Sequence, residues 1–354
     1  MSKSTLISQG MNMPVKVLFW RVRNMKSVLR LIASLRLTTV GMVMLGVGGF
    51  VVSKEITGSS WLVVLPLLLL AMNLLAALII NPIFRARPAL FGMHIGLMLL
   101  VIALAIGQLT RYRGHFEISE GQAFDPETVI VDRTGYIKPV LPQEGTFRQG
   151  KVHVNYAPGV VRRETVSHVV LIDGQLMEST DGQPLIINGY RFYLTHNKGF
   201  SAILSWQGST APAFYQGAVH FPSYPRLAPN QTTRWITPHG TPLELKIEPH
   251  NHPQKTAWKL DNSMAGDRLM VRVNGDEGIA LTPGQDLNLP GGRLHLIGFR
   301  FWIGYRVFYD PTLFWVFSCA TITLIFLAIL ILSKFYRPVV YDRQVTAAVK
   351  KVSS

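Results

Sequence analysis

The sequence has very little cysteine. Only Cys319 is present among 354 residues, and it lies in an apolar run. A single cysteine excludes an intrachain disulfide, and the absence of a Cys-x-x-Cys-His string excludes covalent attachment of a c-type haem to this chain. We predict that Cys319 packs as a small apolar residue rather than serving a redox role.

Charged residues are also scarce. They make up 16% of the chain, whereas hydrophobic residues make up 48%. This balance is typical of a membrane protein that carries a sizeable soluble part. Four apolar runs, residues 37–53, 61–81, 89–109 and 312–333, approach or reach the ~20 residues that a transmembrane helix needs.

The net charge of +15 is unevenly distributed. Residues 1–36 hold seven Lys and Arg and no acid, Arg85 and Arg87 lie between the second and third runs, and residues 334–354 hold five Lys and Arg against one acid. Residues 111–311 hold 20 Lys and Arg against 18 Asp and Glu. Because the excess flanks the apolar runs, it indicates membrane topology and not a nucleic-acid partner.

The positive-inside rule then predicts the organisation of the chain. Residues 1–36 form a cytoplasmic basic amphipathic segment, 37–109 three transmembrane helices, 110–311 an extracytoplasmic domain, 312–333 the fourth transmembrane helix, and 334–354 a cytoplasmic basic tail. The first segment either lies on the anionic lipid surface or docks against a partner's cytoplasmic loops.

The extracytoplasmic region is predicted to be all-β. β-branched or alternating runs are separated by turns such as Asn188-Gly189, with no helical pattern between them. The runs cover residues 128–132, 151–156, 167–172, 185–195, 202–206, 243–247, 269–273 and 293–301. This succession favours an antiparallel sandwich or an open barrel. Trp302, Tyr305 and Tyr309 are predicted to form an aromatic belt at the lipid headgroups.

His94 is the only acidic or basic side chain within the four predicted spans. Since such a group costs about 2.5–3.5 kcal/mol in hydrocarbon, it is a functional-site candidate. Neutral imidazole is a common axial ligand of haem iron, and structural hydrogen bonding is the alternative role. Gly92 and Gly96 would let either a helix or a flat ring approach the backbone. Arg85 and Arg87 either set topology or neutralise an anionic ligand.

Other polar residues carry weaker signals. Asn73, in the second span, is predicted to make an interhelical hydrogen bond. His250 and His252 suggest a surface loop, because no second pair at a matching spacing completes a zinc site. His115 follows the third span closely. No nucleophile, acid–base pair or phosphate-binding loop stands out, so no complete active site is predicted.

Several strings, taken in order, carry a family likeness. They are SLRLTTV (34–40), MNLLAA (72–77), HIGLMLLVIALAIG (94–107), FEISEG (116–121), NGYRFY (188–193) and YRVFYDP (305–311). With the arrangement of three spans, a β-rich region and a fourth span, the chain resembles the ResB-type (CcsB-like) component of the System II cytochrome c maturation machinery. The likeness covers roughly residues 30–335.

The resemblance implies a function in the bacterial inner membrane with the large domain in the periplasm. Proteins of this type pair with a ResC/CcsA-type partner and move haem b, held without covalent bonds, towards apocytochrome c. His94 matches the family's intramembrane haem ligand. The tryptophan-rich haem-handling segment belongs to the partner, and the seven tryptophans of this chain are scattered. Because haem iron usually takes two axial ligands, the second is expected from the partner.

Two functions of other classes stay open from the residues alone. A b-type haem subunit in quinone-linked electron transfer normally needs paired histidines on facing helices, and these spans offer one. A membrane-anchored periplasmic scaffold would need no haem ligand, and would leave the position of His94 unexplained.

Overall fold

The computed structural model divides into two compact units. The helical unit comprises Met1–Thr110 and Pro311–Ser354, and the β unit comprises Arg111–Asp310. Within them the structure describes residues 27–54, 59–209, 214–250, 255–273 and 277–335. Most of the amino-terminal basic segment (residues 1–26) and nearly all of the carboxy-terminal tail (336–354) therefore lie outside the described residues, as does His252.

The helical unit contains four long helices. They are α1 (Leu35–Ser53), α2 (Trp61–Ile80), α3 (Pro88–Thr110) and α4 (Leu313–Phe335), with a single helical turn, Ile83–Ala86, before α3. All four long helices have the length and apolar composition to cross a membrane. The helix ends lie within two residues of the predicted ones, and the apolar composition of the helices associates the chain with a membrane.

Small residues bring neighbouring helices together. In the chain, α2 packs on α1 and α3, and α3 also packs on α4. A side chain at Gly48 of α1 would collide with the backbone carbonyl of Leu62. Close backbone approach is the usual basis of helix association in lipid, where apolar side chains gain nothing by leaving their solvent. Cys319 is buried in α4, as predicted.

Asn73 makes the predicted hydrogen bonds between helices. Its amide nitrogen donates to the carbonyls of Ile32 (2.6 Å) and Ser34 (3.1 Å), and the Thr38 hydroxyl donates to its Oδ1 (2.8 Å). Residues 27–32 are helical, and the helix breaks before α1 begins. Asn73 thus supplies donors to carbonyls at an interruption of the helical backbone, where lipid offers no substitute.

The described residues of the β unit form fifteen strands in three antiparallel sheets, which confirms the β-rich character of the region. The first sheet has the order β2-β1-β15-β7-β6, with β14 beside β15 and β8 beside β7; the second is β13-β12-β10-β9 and the third β11-β3-β4-β5. The strands are β1 (Tyr112–Ser119), β2 (Ile130–Thr134), β3 (Phe147–Tyr156), β4 (Arg162–Leu171), β5 (Leu176–Thr180), β6 (Leu185–Ile187), β7 (Tyr190–Gly208), β8 (Phe214–His220), β9 (Thr232–Ile236), β10 (Pro242–Ile247), β11 (Trp258–Leu260), β12 (Leu269–Val273), β13 (Ile279–Leu281), β14 (Asp286–Leu289) and β15 (Gly292–Tyr309).

One hydrophobic core serves all three sheets. Strand β1 alternates between buried and exposed positions, as a strand with one face in the core should. Phe116 stacks on Tyr305 with ring centroids 5.4 Å apart, and Phe147 stacks on Phe124 at 5.0 Å. These aromatic rings join strands that are far apart in the sequence.

Two strand predictions need correction. The run 185–195 is split by Asn188-Gly189, whose positive φ values (51° and 81°) make the tight turn between β6 and β7. From there β7 continues through the predicted gap before residue 202. A bulge at residues 195–197, where Thr195 Oγ1 donates to the Gly304 carbonyl (2.9 Å), accommodates the polar residues that suggested a loop.

The predicted aromatic belt is wrong for Trp302 and Tyr305. Both lie within β15 and are buried in the β unit, with 2% and 0% of their surface exposed. The Tyr305 hydroxyl donates to Gln149 Oε1 (2.9 Å) and lies 2.8 Å from Ser167 Oγ. The strand continues past residue 301, and strand alternation points Tyr305 into the hydrophobic core. Trp302, three residues earlier, lies on the opposite face, where it stacks on His220 with centroids 5.1 Å apart.

Candidate functional site

His94 lies near the beginning of α3 and is half-buried. It is the seventh residue of the helix, about 9 Å along the axis from Pro88 at 1.5 Å per residue. Its Nδ1 lies 2.9 Å from the carbonyl oxygen of Leu90, one turn earlier. Because a carbonyl oxygen can only accept, Nδ1 carries the hydrogen and Nε2 carries the lone pair of the neutral ring.

Phe84 helps to orient the imidazole. This buried side chain, from the turn before α3, meets the His94 ring edge to face, with centroids 4.7 Å apart and planes at 62°. No described residue makes a hydrogen bond to Nε2 of His94. A histidine held by an Nδ1–H donation to a backbone carbonyl, with Nε2 left as the ligand, is the common arrangement of metal-binding histidines.

Gly92 and Gly96 contact α4. A side chain at Gly92 would lie 2.6 Å from the Phe326 ring, and one at Gly96 would lie 2.5 Å from Thr323 Oγ1. Of the two roles predicted for this pair, helix packing is the one that the contacts support. The space that a flat ring would need beside Gly92 is filled by Phe326.

Arg85 and Arg87 have exposed side chains just before α3. Arg85 lies in the short helical turn and Arg87 follows it. The structure brings their neighbour Phe84 to His94, but places neither arginine in contact with the imidazole. Both guanidinium groups are therefore accessible to an anionic ligand or to lipid phosphates.

The remaining predicted histidines have ordinary partners. His115 is exposed and its Nδ1 lies 2.6 Å from an Asp132 carboxylate oxygen. His250 pairs with Asp267 at 3.0 Å. In the part of the chain that the structure describes, no three His, Cys, Asp or Glu side chains form a group that could hold a metal ion.

Sequence reasoning missed a serine–histidine–carboxylate relay. His220 Nε2 lies 3.0 Å from Ser119 Oγ, and its Nδ1 lies 2.9 Å from Glu117 Oε2. This is the order of groups in a serine hydrolase. Ser119, however, is fully buried and also bonds to Ser201 Oγ at 2.8 Å.

The burial of Ser119 decides the role of this relay. A nucleophile must reach its substrate, and this hydroxyl is enclosed between two hydrogen-bond partners. His220 itself stacks on Trp302, with centroids 5.1 Å apart and planes at 9°. The relay is therefore a structural network. No local signal could have found it, because His220 lies about a hundred residues along the chain from Ser119.

Comparison with known families adds the decisive observation. Residues 86–222 match the ResB-like family. The match is consistent with a ResB/CcsB-type protein and confirms the resemblance drawn from the sequence. It spans α3 with His94 and strands β1 to β8. The ResB-like family acts in cytochrome c biogenesis in general, and this chain is similar to that family over the matched residues. A comparison with curated proteins found no match.

Three of the six strings that suggested the likeness fall within the matched residues. They are residues 94–107, 116–121 and 188–193. The structure places the first in α3, the second mostly in β1, and the third at the turn between β6 and β7. The ResB match thus includes the helix that carries the candidate ligand and the turn that starts the longest strand pair.

Proposed function

We propose that this chain is a haem-handling membrane subunit of a System II cytochrome c synthase. In this role it helps to move haem b across the bacterial inner membrane and to present it to apocytochrome c. Haem is the cargo, held without a covalent bond. The observation that carries the proposal is the hydrogen bonding of the His94 imidazole. Its Nδ1 is bonded to the Leu90 carbonyl, and its Nε2 has no hydrogen-bond partner among the described residues.

The surroundings of His94 support haem more than a structural role. A histidine retained only for packing would be expected to use both ring nitrogens in lipid, where an unpaired polar atom is costly. Arg85 and Arg87 are exposed near the same end of α3 and would attract haem propionates. Gly92 and Gly96 are left out of the proposed ligand set, since α4 covers them.

A second axial ligand is assigned to another protein. The four described helices contain one histidine, and stable six-coordinate haem iron needs two ligands. We place the second ligand on the ResC/CcsA-type partner. A single histidine in these helices disfavours a b-type electron-transfer subunit that works alone. A scaffold function would not explain why His94 Nε2 lacks a hydrogen-bond partner among the described residues.

The proposed orientation follows from charge. The basic amino-terminal segment, the Arg85–Arg87 connection and the basic tail face the cytoplasm, and the β unit faces the periplasm. His94 then lies towards the cytoplasmic end of α3, where haem made in the cytoplasm would first be captured.

The test is the haem content of the complex. The full chain is co-purified with its ResC/CcsA-type partner, as wild type and as His94→Gln, and reduced absorption spectra are recorded. Glutamine retains a hydrogen-bond donor but lacks the imidazole lone pair, so we expect a severalfold loss of bound haem and loss of c-type cytochromes in cells.

His239→Gln is the matched control, because His239 is exposed in the β unit. It should leave the haem content and the bands unchanged. Undiminished haem with unaltered bands in His94→Gln would contradict the proposal. Loss of one respiratory activity with c-type cytochromes intact would favour the electron-transfer function instead.

A further inference from the structure

A cavity of about 770 Å³ lies against the third sheet of the β unit. Its wall is formed by residues of β3, β4 and β5, by β11 and the turn after it, and by Glu120 just after β1. The volume is within the range of about 300–1,000 Å³ that is typical of small-molecule sites. All the lining residues belong to the β unit, so the cavity does not depend on the helical unit.

Strand pairing places two histidines side by side in this cavity. His153 of β3 is paired with Val166 of β4, and His168 follows Val166 by two residues on the same face. The two ring centroids lie 6.2 Å apart, with planes at 30°, and both side chains are half-buried. Because β3 and β4 are the inner strands of the sheet, both imidazoles are held on rigid elements.

Both rings keep a nitrogen lone pair for a ligand. No described residue makes a hydrogen bond to either ring nitrogen of His153. His168 Nδ1 lies 3.3 Å from the Lys151 carbonyl oxygen, so in the neutral ring the hydrogen is on Nδ1 and the lone pair is on Nε2. Burial, followed by the charges of Lys259 and His168, lowers the pKa of His153. At neutral pH His153 is therefore uncharged, the form in which imidazole binds metals.

Two imidazoles are too few for a bare metal ion. Structural zinc takes four protein ligands and catalytic zinc takes three. In the part of the chain that the structure describes, no third His, Cys, Asp or Glu completes such a group. A metalloporphyrin brings four ring nitrogens of its own and needs only axial ligands from the protein. The ligand count therefore favours a metal that arrives inside a macrocycle.

Other lining residues match the remaining parts of such a ligand. Leu176 lines the cavity with 65% of its surface exposed, and a flat apolar ring would cover it. Lys151 is exposed and forms no ion pair with any described residue, and Lys259 Nζ lies 3.9 Å from Asp261. The cavity thus combines an apolar surface, a neutral imidazole and an ammonium group that can bind a carboxylate.

The two acids that line the cavity are bound by the protein backbone. Glu120 Oε1 accepts a hydrogen bond from the Val152 amide (2.7 Å), and burial raises the pKa of Glu120. Asp261 Oδ1 accepts from the Ser263 amide (3.0 Å) in the turn after β11. Since both carboxylates are engaged in this way, the Lys151 ammonium is left for a ligand.

We propose that this cavity binds haem through an axial bond from His153, with Lys151 holding a haem propionate. The inference goes beyond the membrane site at His94, because it assigns a second haem position to the β unit. It rests on the proposed function for the choice of haem among metalloporphyrins, whereas the cavity is argued from the β unit alone. A half-buried ligand on an accessible sheet face would release haem readily, as transfer to apocytochrome c requires.

The test is a porphyrin titration of the full chain in detergent. His94→Gln is present throughout, so that the membrane site does not contribute. Absorption spectra are recorded with ferric haem and, separately, with metal-free protoporphyrin. We expect one haem to bind with a shifted Soret band, and the metal-free ring to bind more weakly. Adding His153→Gln should lower the affinity for haem about tenfold and abolish its advantage over the metal-free ring, because the iron–nitrogen bond is lost.

His196→Gln is the matched control. His196 is an exposed histidine of the β unit whose pKa is also lowered, but it is not among the residues that line the cavity. Its replacement should leave the affinity for haem unchanged. Lys151→Gln provides a second test if His153→Gln fails to fold. It should weaken the binding of both porphyrins severalfold, and less so at high salt, because it acts on their carboxylates.

Several outcomes would overturn the proposal. Equal losses in His153→Gln and His196→Gln would mean that haem binds to exposed histidines without a defined site. Equal affinity for haem and the metal-free ring would exclude an axial bond. Binding of Zn²⁺ that is lost in His153→Gln, with haem binding unaffected, would assign the histidines to a bare metal ion instead.

The failure of this inference is distinguishable from failure of the proposed function. Undiminished haem in the His94→Gln complex with the partner contradicts the proposed function alone. A titration without any dependence on His153 contradicts the second haem position alone.

Discussion

The two units differ in where they leave polar groups unsatisfied. In the helical unit Asn73 uses its side chain fully, with two donations and one acceptance, whereas His94 uses one ring nitrogen of two. In the core of the β unit, Tyr305, Gln149 and Ser167 bond to one another. Three buried oxygens of this unit, Tyr112 Oη, Gln231 Oε1 and Asn262 Oδ1, have no hydrogen-bond partner among the described residues.

This difference separates structural polar groups from functional ones. Lipid and a protein core both penalise an unpaired polar atom, so a group that is fully paired there is explained by folding. His94 differs from these groups because it is only half-buried and its Nε2 has no hydrogen-bond partner among the described residues, which leaves that nitrogen for a ligand. By this criterion Asn73 and Tyr305 are structural, and His94 is a candidate for binding.

The largest expected effect tests the packing of α3 on α4. Gly96→Leu places a side chain against Thr323, with a Cβ only 3.3 Å from its backbone, and should cost about 3 kcal/mol or prevent assembly of the helices. The measurement is the yield of monodisperse protein in detergent. Gly46→Leu is the control, since nothing lies within 4 Å of that position. Equal losses would mean that α3 and α4 do not need this contact.

Lys198 tests whether every buried charge signals a ligand. This residue is 2% exposed, and burial, with a smaller effect of Arg162, lowers its pKa to about 8. Its folded pKa is thus below the unfolded value of about 10.4, so the unfolded chain binds more protons between those values and stability rises with pH there. Lys198→Met should raise the unfolding free energy by about 2 kcal/mol below pH 8.

The pH dependence identifies the cause. The advantage of Lys198→Met over wild type, measured as a difference in thermal midpoint, should shrink as pH rises from 8 towards 10. Lys246→Met, at an exposed lysine, should show no such trend. A constant advantage at all pH values would attribute the gain to packing and not to charge.

Tyr305→Phe tests the closed interior of the β unit. Removing the hydroxyl leaves Gln149 Oε1 and Ser167 Oγ each short of a partner, and should lower stability by about 1–2 kcal/mol. The thermal midpoint of the full chain in detergent is the measurement. Tyr193→Phe, at an exposed tyrosine, should leave the midpoint unchanged. An unchanged midpoint for Tyr305→Phe would show that the network relaxes without it.

The smallest expected effect is the hydrogen bond between Asn73 and Thr38. A double-mutant cycle of Asn73→Leu with Thr38→Val should give a coupling of about 0.6–1.7 kcal/mol. The parallel cycle with Thr39→Val should give none, because the Thr39 hydroxyl bonds within its own helix to Leu35. Coupling of similar size in both cycles would remove the distinction between Asn73 and its surroundings.

Much of the architecture could be predicted from the sequence. The helix ends agree within two residues because an apolar run of about 20 residues has one favourable structure in lipid. Asn188-Gly189 was predictable as a turn, since both residues tolerate a positive φ. The aromatic residues after Phe301 led to the wrong prediction of a belt at the lipid headgroups, because an aromatic-rich strand and a membrane-interface belt have the same composition.

The sequence by itself determined four helices long and apolar enough to cross a membrane, a β-rich region after the third, and His94 as the exceptional residue. The hydropathy of a run, and the presence of one histidine within it, can be read from consecutive residues without knowing which other residues they contact. Only the tertiary structure decided that Phe84 packs on the His94 ring, that α4 covers Gly92 and Gly96, and that Tyr305 lies in the core beside Gln149 and Ser167. Those facts depend on strand register and helix packing, which join residues as far apart in the chain as Gly92 and Phe326.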